Sequence, residues 1–156
     1  MYKSKKKKLI AANKKIANAT KTTVNGVAYR SKLEAFTANI LNREGIKYEY
    51  EKNKFILQDK FTFPNESIEE FKKKKVGKQF AAINNNIQHI SYTPDFVDEK
   101  FRWIIECKGM KTDAFTLKWK MFKKYIKDND LKIDLYLPKN QTQVLDVINK
   151  IKNKYK

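Results

Sequence analysis

The 156-residue chain holds one cysteine, one histidine, four glycines and three prolines. With Cys107 alone, no intrachain disulfide can form, which fits a reducing compartment. Cys107 and His89 together cannot complete a Cys/His zinc site. A single histidine also cannot be both the general base and the metal ligand of a histidine-metal nuclease. No apolar run approaches the roughly 18 residues of a membrane span. The basic flank of Lys3 and Lys5 to Lys8 is followed only by Leu9-Ile10-Ala11-Ala12, shorter than the roughly 7–15 apolar residues of a secretory signal. These absences predict a soluble intracellular protein with no membrane partner. Internal repeats and Gly/Ser linkers are missing as well, and the length suits one domain on a prior of about 100–200 residues.

Lysine is what the chain has in excess. Lys+Arg number 35 against 17 Asp+Glu, a formal net charge of +18, and only Arg30, Arg43 and Arg102 are arginines. A compact body with that charge repels itself, and a polyanionic partner relieves the repulsion. Lysine is a point charge suited to phosphate, whereas arginine's fork suits guanine edges. The expectation is a protein that grips nucleic-acid backbone and shape rather than sequence. The plain alternative is a basic composition that says nothing of partners. With 41% apolar and 13% aromatic residues, the chain is too rich for a disordered one. A basic RNA-binding protein would stack bases on its Tyr and Phe residues, but most aromatics here fall where periodicity points to a core.

Periodicity predicts a basic arm over 1–21 and one domain over 22–156. Asn25-Gly26 between β-branched residues predicts a hairpin over Thr22–Tyr29. Ser31 opens a helix carrying Leu33, Phe36, Ile40 and Leu41, and Gly45 ends it. Alternation from Ile46 to Leu57 predicts a strand. Residues 58–88 are irregular and read as an insertion on the nucleic-acid face, with a short helix opened by a capping box at Ser67-Ile68-Glu69-Glu70 and exposed turns at Lys72–Lys75 and Asn84–Asn86. Strands follow at His89–Val97 and Phe101–Lys108, with a turn at Asp98-Glu99-Lys100. Asp113 caps a helix bearing Phe115, Trp119, Phe122 and Ile126. Leu131 to Leu137 form a strand, and Val144, Val147, Ile148 and Ile151 mark a last helix. This order predicts an α/β fold: a mixed sheet with helices on both faces.

The chemistry sits in Thr93-Pro94-Asp95-Phe96 and Ile105-Glu106-Cys107-Lys108-Gly109. Side chains two apart on a strand share a face, so Glu106 and Lys108 point the same way while Phe101, Trp103, Ile105 and Cys107 point into the core. Asp95 on the neighbouring strand would bring two carboxylates and an amine together. Hard ions such as Mg²⁺ take such oxygen ligands and keep several waters, and a lysine beside the ion can orient the attacking water. The competing reading is a surface Glu–Lys pair, which is worth little. Glu34 is a third candidate, and its residues support two roles equally: ligand, or partner of Ser31 in a capping box.

The segments Arg30-Ser31-Lys32-Leu33-Glu34, Glu44 to Glu51, Tyr92 to Phe96 and Glu106 to Gly109 resemble the phage endonuclease I family of Holliday-junction resolvases. That family belongs to the PD-(D/E)XK, or restriction-endonuclease-like, nucleases. The resemblance implies a restriction-endonuclease-like fold and Mg²⁺-dependent cleavage of branched DNA, with Mn²⁺ able to substitute. It implies that Glu34, Asp95 and Glu106 are metal-binding carboxylates, that the Cys107 carbonyl is a further ligand, and that Lys108 is the catalytic lysine. One metal would activate water beside Lys108, and a second, near Glu34 and Asp95, would stabilise the leaving oxygen. It also implies a homodimer, with elements exchanged in known relatives, working in an infected bacterial cell or associated with the virion. Lys5, Lys6, Lys7, Lys8, Lys72, Lys73, Lys74, Lys75 and Lys111 would hold phosphates. The rival class is a nuclease fold reused as a non-catalytic DNA-binding or virion component, against which the intact acidic residues argue.

Overall fold

A computed structural model describes residues 21–73, 77–82 and 85–155, and side chains outside 70–84. The chain divides into two compact units, one holding described residues up to Tyr50 with Asp95–Met110 and everything from Asp134, the other holding Glu51–Pro94 and Lys111–Ile133. Among the described residues, no helix is long and apolar enough to cross a membrane.

In the first unit, β1 (Thr22–Val24) and β2 (Val27–Tyr29) form the expected hairpin. Asn25 and Gly26 both have positive φ, 49° and 77°, as a type I′ turn requires. Helix α1 (Lys32–Arg43) starts at Ser31, whose Oγ accepts from Glu34 N–H. It stops in a Schellman arrangement: Gly45, at φ 65°, donates to the Asn42 carbonyl and Ile46 to that of Leu41.

The alternation from Ile46 yields β3 (Tyr48–Tyr50), and the strand breaks at Glu51 rather than running on to Leu57. The central sheet is ordered β12–β11–β10–β3, with β10 (Phe96–Asp98), β11 (Trp103–Ile105) and β12 (Asp134–Tyr136). β10 pairs antiparallel with both β3 and β11, while β11 and β12 run parallel, so the sheet is mixed as expected. Backbone pairing continues past β11, with Glu106 N–H on the Tyr136 carbonyl and Lys108 N–H on that of Pro138.

Phe96, Trp103, Ile105 and Cys107 share a core with Ala35, Ala38, Ile40 and Leu41 of α1 and with Val144, Ile148 and Ile151 of α3 (Gln141–Tyr155). Val97 and Ile104 are also fully buried, outside that cluster. Beyond the turn at Glu99-Lys100, Arg102 closes on Asp98 through Nε at 2.6 Å and Nη2 at 3.1 Å.

The second unit replaces the irregular reading of 58–88 with nested antiparallel strands. β4 (Phe55–Gln58) pairs with β9 (Ile90–Tyr92), β5 (Phe61–Thr62) with β8 (Asn86–Ile87), and β6 (Ile68–Lys73) with β7 (Gly77–Ala82). The short helix expected at Ser67–Glu70 is therefore a strand. Ser67 Oγ donates to Glu69 Oε1 instead of capping, and β7 supplies a six-pair ladder that local capping cannot match. Lys72 and Lys73 lie within β6 rather than in a turn, and Asn86 lies within β8. The expectations for 1–20, Lys74, Lys75 and Asn84 fall outside the described residues.

Helix α2 (Asp113–Asp128) buries Phe115, Trp119, Phe122 and Ile126, the four residues its periodicity selects. The Phe122 ring packs tilted against those of Phe55 and Tyr92, with centroids 4.9 Å and 4.7 Å away. The cap of this helix is Thr112, whose Oγ1 accepts from Phe115 N–H. Asp113 is instead the first helical residue, where its charge suits the dipole.

Candidate metal centre

Glu34 lies in the first turn of α1 and is only 6% exposed. A carboxylate so deeply buried needs donors, and it has three. Ser31 Oγ donates to Oε1 at 2.6 Å, while Tyr50 Oη at 2.6 Å and Arg30 N–H at 3.1 Å donate to Oε2. The capping bond at Ser31 is present, and the Glu34 carboxylate itself accepts from Arg30 N–H and the Ser31 hydroxyl. Ser31 caps the helix, while the carboxylate is held from both sides by the helix start and by the last residue of β3. Tyr50 is placed in turn by ring contacts with Tyr29 at 4.7 Å and Phe96 at 5.3 Å.

Asp95 stands immediately before β10, after Pro94, and is half-buried. Cys107 N–H donates to its Oδ2 at 2.7 Å, which ties the carboxylate to the strand beyond β11. Glu51 follows Tyr50 directly and has φ 49°. A non-glycine residue in that left-handed region costs roughly 1–2 kcal/mol, and the turn breaks the alternation of β3. Carboxylate oxygens of Glu34, Glu51 and Asp95 all lie within 4.8 Å of one another.

Three carboxylates without a soft donor select a hard cation. Opposite ligands of an octahedral Mg²⁺ stand about 4.2 Å apart. Any three octahedral ligands include at least two adjacent pairs, about 3 Å apart, so sharing one ion would draw the three oxygens together by up to about 2 Å through side-chain rotation.

The sequence reading placed Glu34 and Asp95 at the metal, and the structure brings them together. It missed Glu51, because continuous alternation through residue 57 gives Glu51 the face of Lys47 and Glu49. The signal available was a polar stretch, Glu51-Lys52-Asn53-Lys54, in the middle of an otherwise apolar alternation.

Glu106 is 6% exposed and stands beside the three-carboxylate cluster rather than within it. Burial pushes the Cys107 thiol far above its ordinary range. The Thr37 hydroxyl, 3.2 Å away, draws it back, and the charges of Asp95, Glu34 and Glu106 push it further up. Lys108, next in the chain, is half-buried.

Lys111 is exposed beyond Gly109, and Lys72 and Lys73 occupy β6, while Lys5 to Lys8, Lys74 and Lys75 lie outside the described residues. A third buried acid, Asp98, belongs to the scaffold. Burial pushes its carboxyl up, but the side-chain and backbone hydrogen bonds of Arg102 outweigh that and hold it below the usual range.

Neither the curated proteins nor the solved structures contain a match to this sequence. Residues 14–142 do match the model of a family described as a protein of unknown function, DUF1064, and the chain belongs to that family.

Proposed function

We propose that this chain is a metal-dependent DNA endonuclease of restriction-endonuclease-like architecture that cuts branched DNA, such as four-way junctions, as a homodimer. Mg²⁺ is the working ion, and Mn²⁺ replaces it. The observation that carries the reading is the convergence of Glu34, Glu51 and Asp95 within 4.8 Å, beside the strand end bearing Glu106 and Lys108.

When bound, a hard dication supplies Lewis-acid polarisation of a phosphate and a more acidic water. Glu34, Glu51 and Asp95 offer the oxygen ligands. Tyr50, Ser31 and the Cys107 N–H hold two of these carboxylates in place. Glu106 and Lys108 sit two apart on one strand, so they share a face. There the Lys108 ammonium donates to the attacking water or to a phosphate oxygen, and Glu106 adds a negative charge that keeps the cation and the ammonium close. The net charge of +18 favours a polyanionic substrate, and the scarcity of arginine favours recognition of shape over sequence.

The test is incubation with a four-way junction and with a linear duplex of matched sequence, in Mg²⁺, in Mn²⁺ and in EDTA. Paired cuts in the junction, present with either ion and absent in EDTA, are expected. Equal cutting of both substrates would remove the junction preference, and no cutting with either ion would remove the enzyme.

A further inference from the structure

Helix α2 carries a concentration of charge that the metal centre does not use. Five of its 16 residues are lysines, and no acid lies between Asp113 and Asp128. Two of the five have partners within the second unit. Lys118 donates to the Ser91 carbonyl at 3.2 Å, and Lys124 meets Asp128 at 2.6 Å. The other three, Lys120, Lys123 and Lys127, are exposed beside the buried stripe of Phe115, Trp119, Phe122 and Ile126. At about 100° and 1.5 Å per residue, they fall within about 60° of arc and about 10.5 Å of axis, a single row along the helix.

A helix face built only for water gains from acids placed three or four residues from its lysines. On α2 those spacings instead join lysine to lysine: Lys120 to Lys123 and Lys124, and Lys127 to the same two. Such like-charge neighbours disfavour a helix, and Asp128 relieves only Lys124. The helix dipole favours a cation in the last turn, which accounts for Lys127 but not for Lys120 or Lys123. A row of phosphates would turn the repulsion into attraction.

We infer that this row on α2 is a docking face for the phosphate backbone of duplex DNA. Phosphates recur about every 3.4 Å of duplex axis on each strand, so a row about 10.5 Å long can meet two or three of them. Lysine binds phosphate as a point charge, and α2 has no arginine to read guanine edges, so this face grips backbone rather than sequence. The inference rests on the proposed function for DNA as the partner and adds the element that holds it.

The experiment uses the full chain in EDTA, where binding is measured without cleavage. Fluorescence anisotropy with a short DNA duplex is recorded over a KCl series for wild type, for K120Q/K123Q/K127Q, and for K47Q/K100Q/K150Q, which removes the same charge from exposed positions of the first unit. The α2 variant should bind more weakly, with a log–log salt slope smaller by about 0.9 for each phosphate no longer neutralised, or about 2.7 for three. The control should change the slope much less. An unchanged slope in the α2 variant overturns the inference, and so does an equal change in the control, because the lysines would then act only as net charge. A loss on an RNA duplex of the same sequence without one on DNA also overturns it, and assigns the face to RNA.

With its like-charge neighbours removed, the α2 variant should melt no lower than wild type; if it does melt lower, K120Q/K127Q carries the same test. Failure of the nuclease reading is separable. A chain that never cleaves but loses duplex affinity in the α2 variant alone keeps the docking face, and a chain that cleaves normally with an unchanged slope loses only that face.

Discussion

Glu51→Gln is the perturbation that separates a metal centre from an ordinary polar surface. Oxygens of Glu34, Glu51 and Asp95 lie within 4.8 Å of one another, and at an effective dielectric near 20 each pair of such charges repels by about 3–4 kcal/mol. Glu51 and Asp95 are half-buried rather than sealed off, and solvent screening leaves a net gain of about 1–2 kcal/mol when the amide replaces the acid. For a chain of this size, that raises the melting temperature by about 2–8 °C. The amide keeps the shape of the side chain, so the left-handed backbone at residue 51 is undisturbed. In Mg²⁺ or Mn²⁺ the order should reverse. An ion at about a hundred times its dissociation constant stabilises wild type by about 2.7 kcal/mol, or about 5–11 °C, and the variant gains much less. The assay is thermal unfolding by circular dichroism in EDTA and across a cation titration. A variant less stable than wild type in EDTA, with the same cation shift as wild type, would refute the reasoning.

Tyr50→Phe keeps the ring contacts with Tyr29 and Phe96 but removes the 2.6 Å hydrogen bond to Glu34. It should cost about 1.5–3 kcal/mol in urea unfolding, as expected for a bond to a charged group; no loss would mean that Tyr50 does not hold Glu34. Lys108→Ala should abolish cleavage while leaving the cation-induced rise in melting temperature intact, and loss of that rise would make Lys108 part of ion binding instead. Asp98→Asn tests the scaffold pair through pH. The folded-state pKa of Asp98 is depressed, so its stabilisation is present above the unfolded value near 4 and fades as pH falls through the folded value. The variant should therefore be about 1–3 kcal/mol less stable at pH 7, with the gap closing below about pH 4. A gap independent of pH would show that the carboxylate charge is not what binds Arg102.

Strong local signals were legible in the sequence. Asn25-Gly26, Ser31 and Gly45 act within a few residues, through positive φ or a single capping bond, and each does what its chemistry dictates. The apolar stripes of α2 and α3 and the alternation around Phe96, Trp103 and Ile105 also identified buried residues, but Phe101, expected in that core, is 44% exposed, because its φ of 55° takes it out of the strand. Partners distant in sequence were harder to see. The ladder between Ile68–Lys73 and Gly77–Ala82 overrode a capping box that was sound as local chemistry. Two members of the acidic cluster, Glu34 and Asp95, could be named from neighbouring residues. Glu51 could not, because its approach depends on a left-handed residue that alternation does not encode.

The central claim is that these carboxylates hold an ion that cuts DNA. Its most direct measurement is the nicking of supercoiled plasmid by wild type and by Asp95→Asn, each in Mg²⁺ and in EDTA, beside plasmid binding in EDTA. The account predicts nicking by wild type in Mg²⁺ alone, none by Asp95→Asn in either condition, and plasmid affinity in the variant equal to or above that of wild type. Mg²⁺-dependent nicking by Asp95→Asn at the wild-type rate would contradict it.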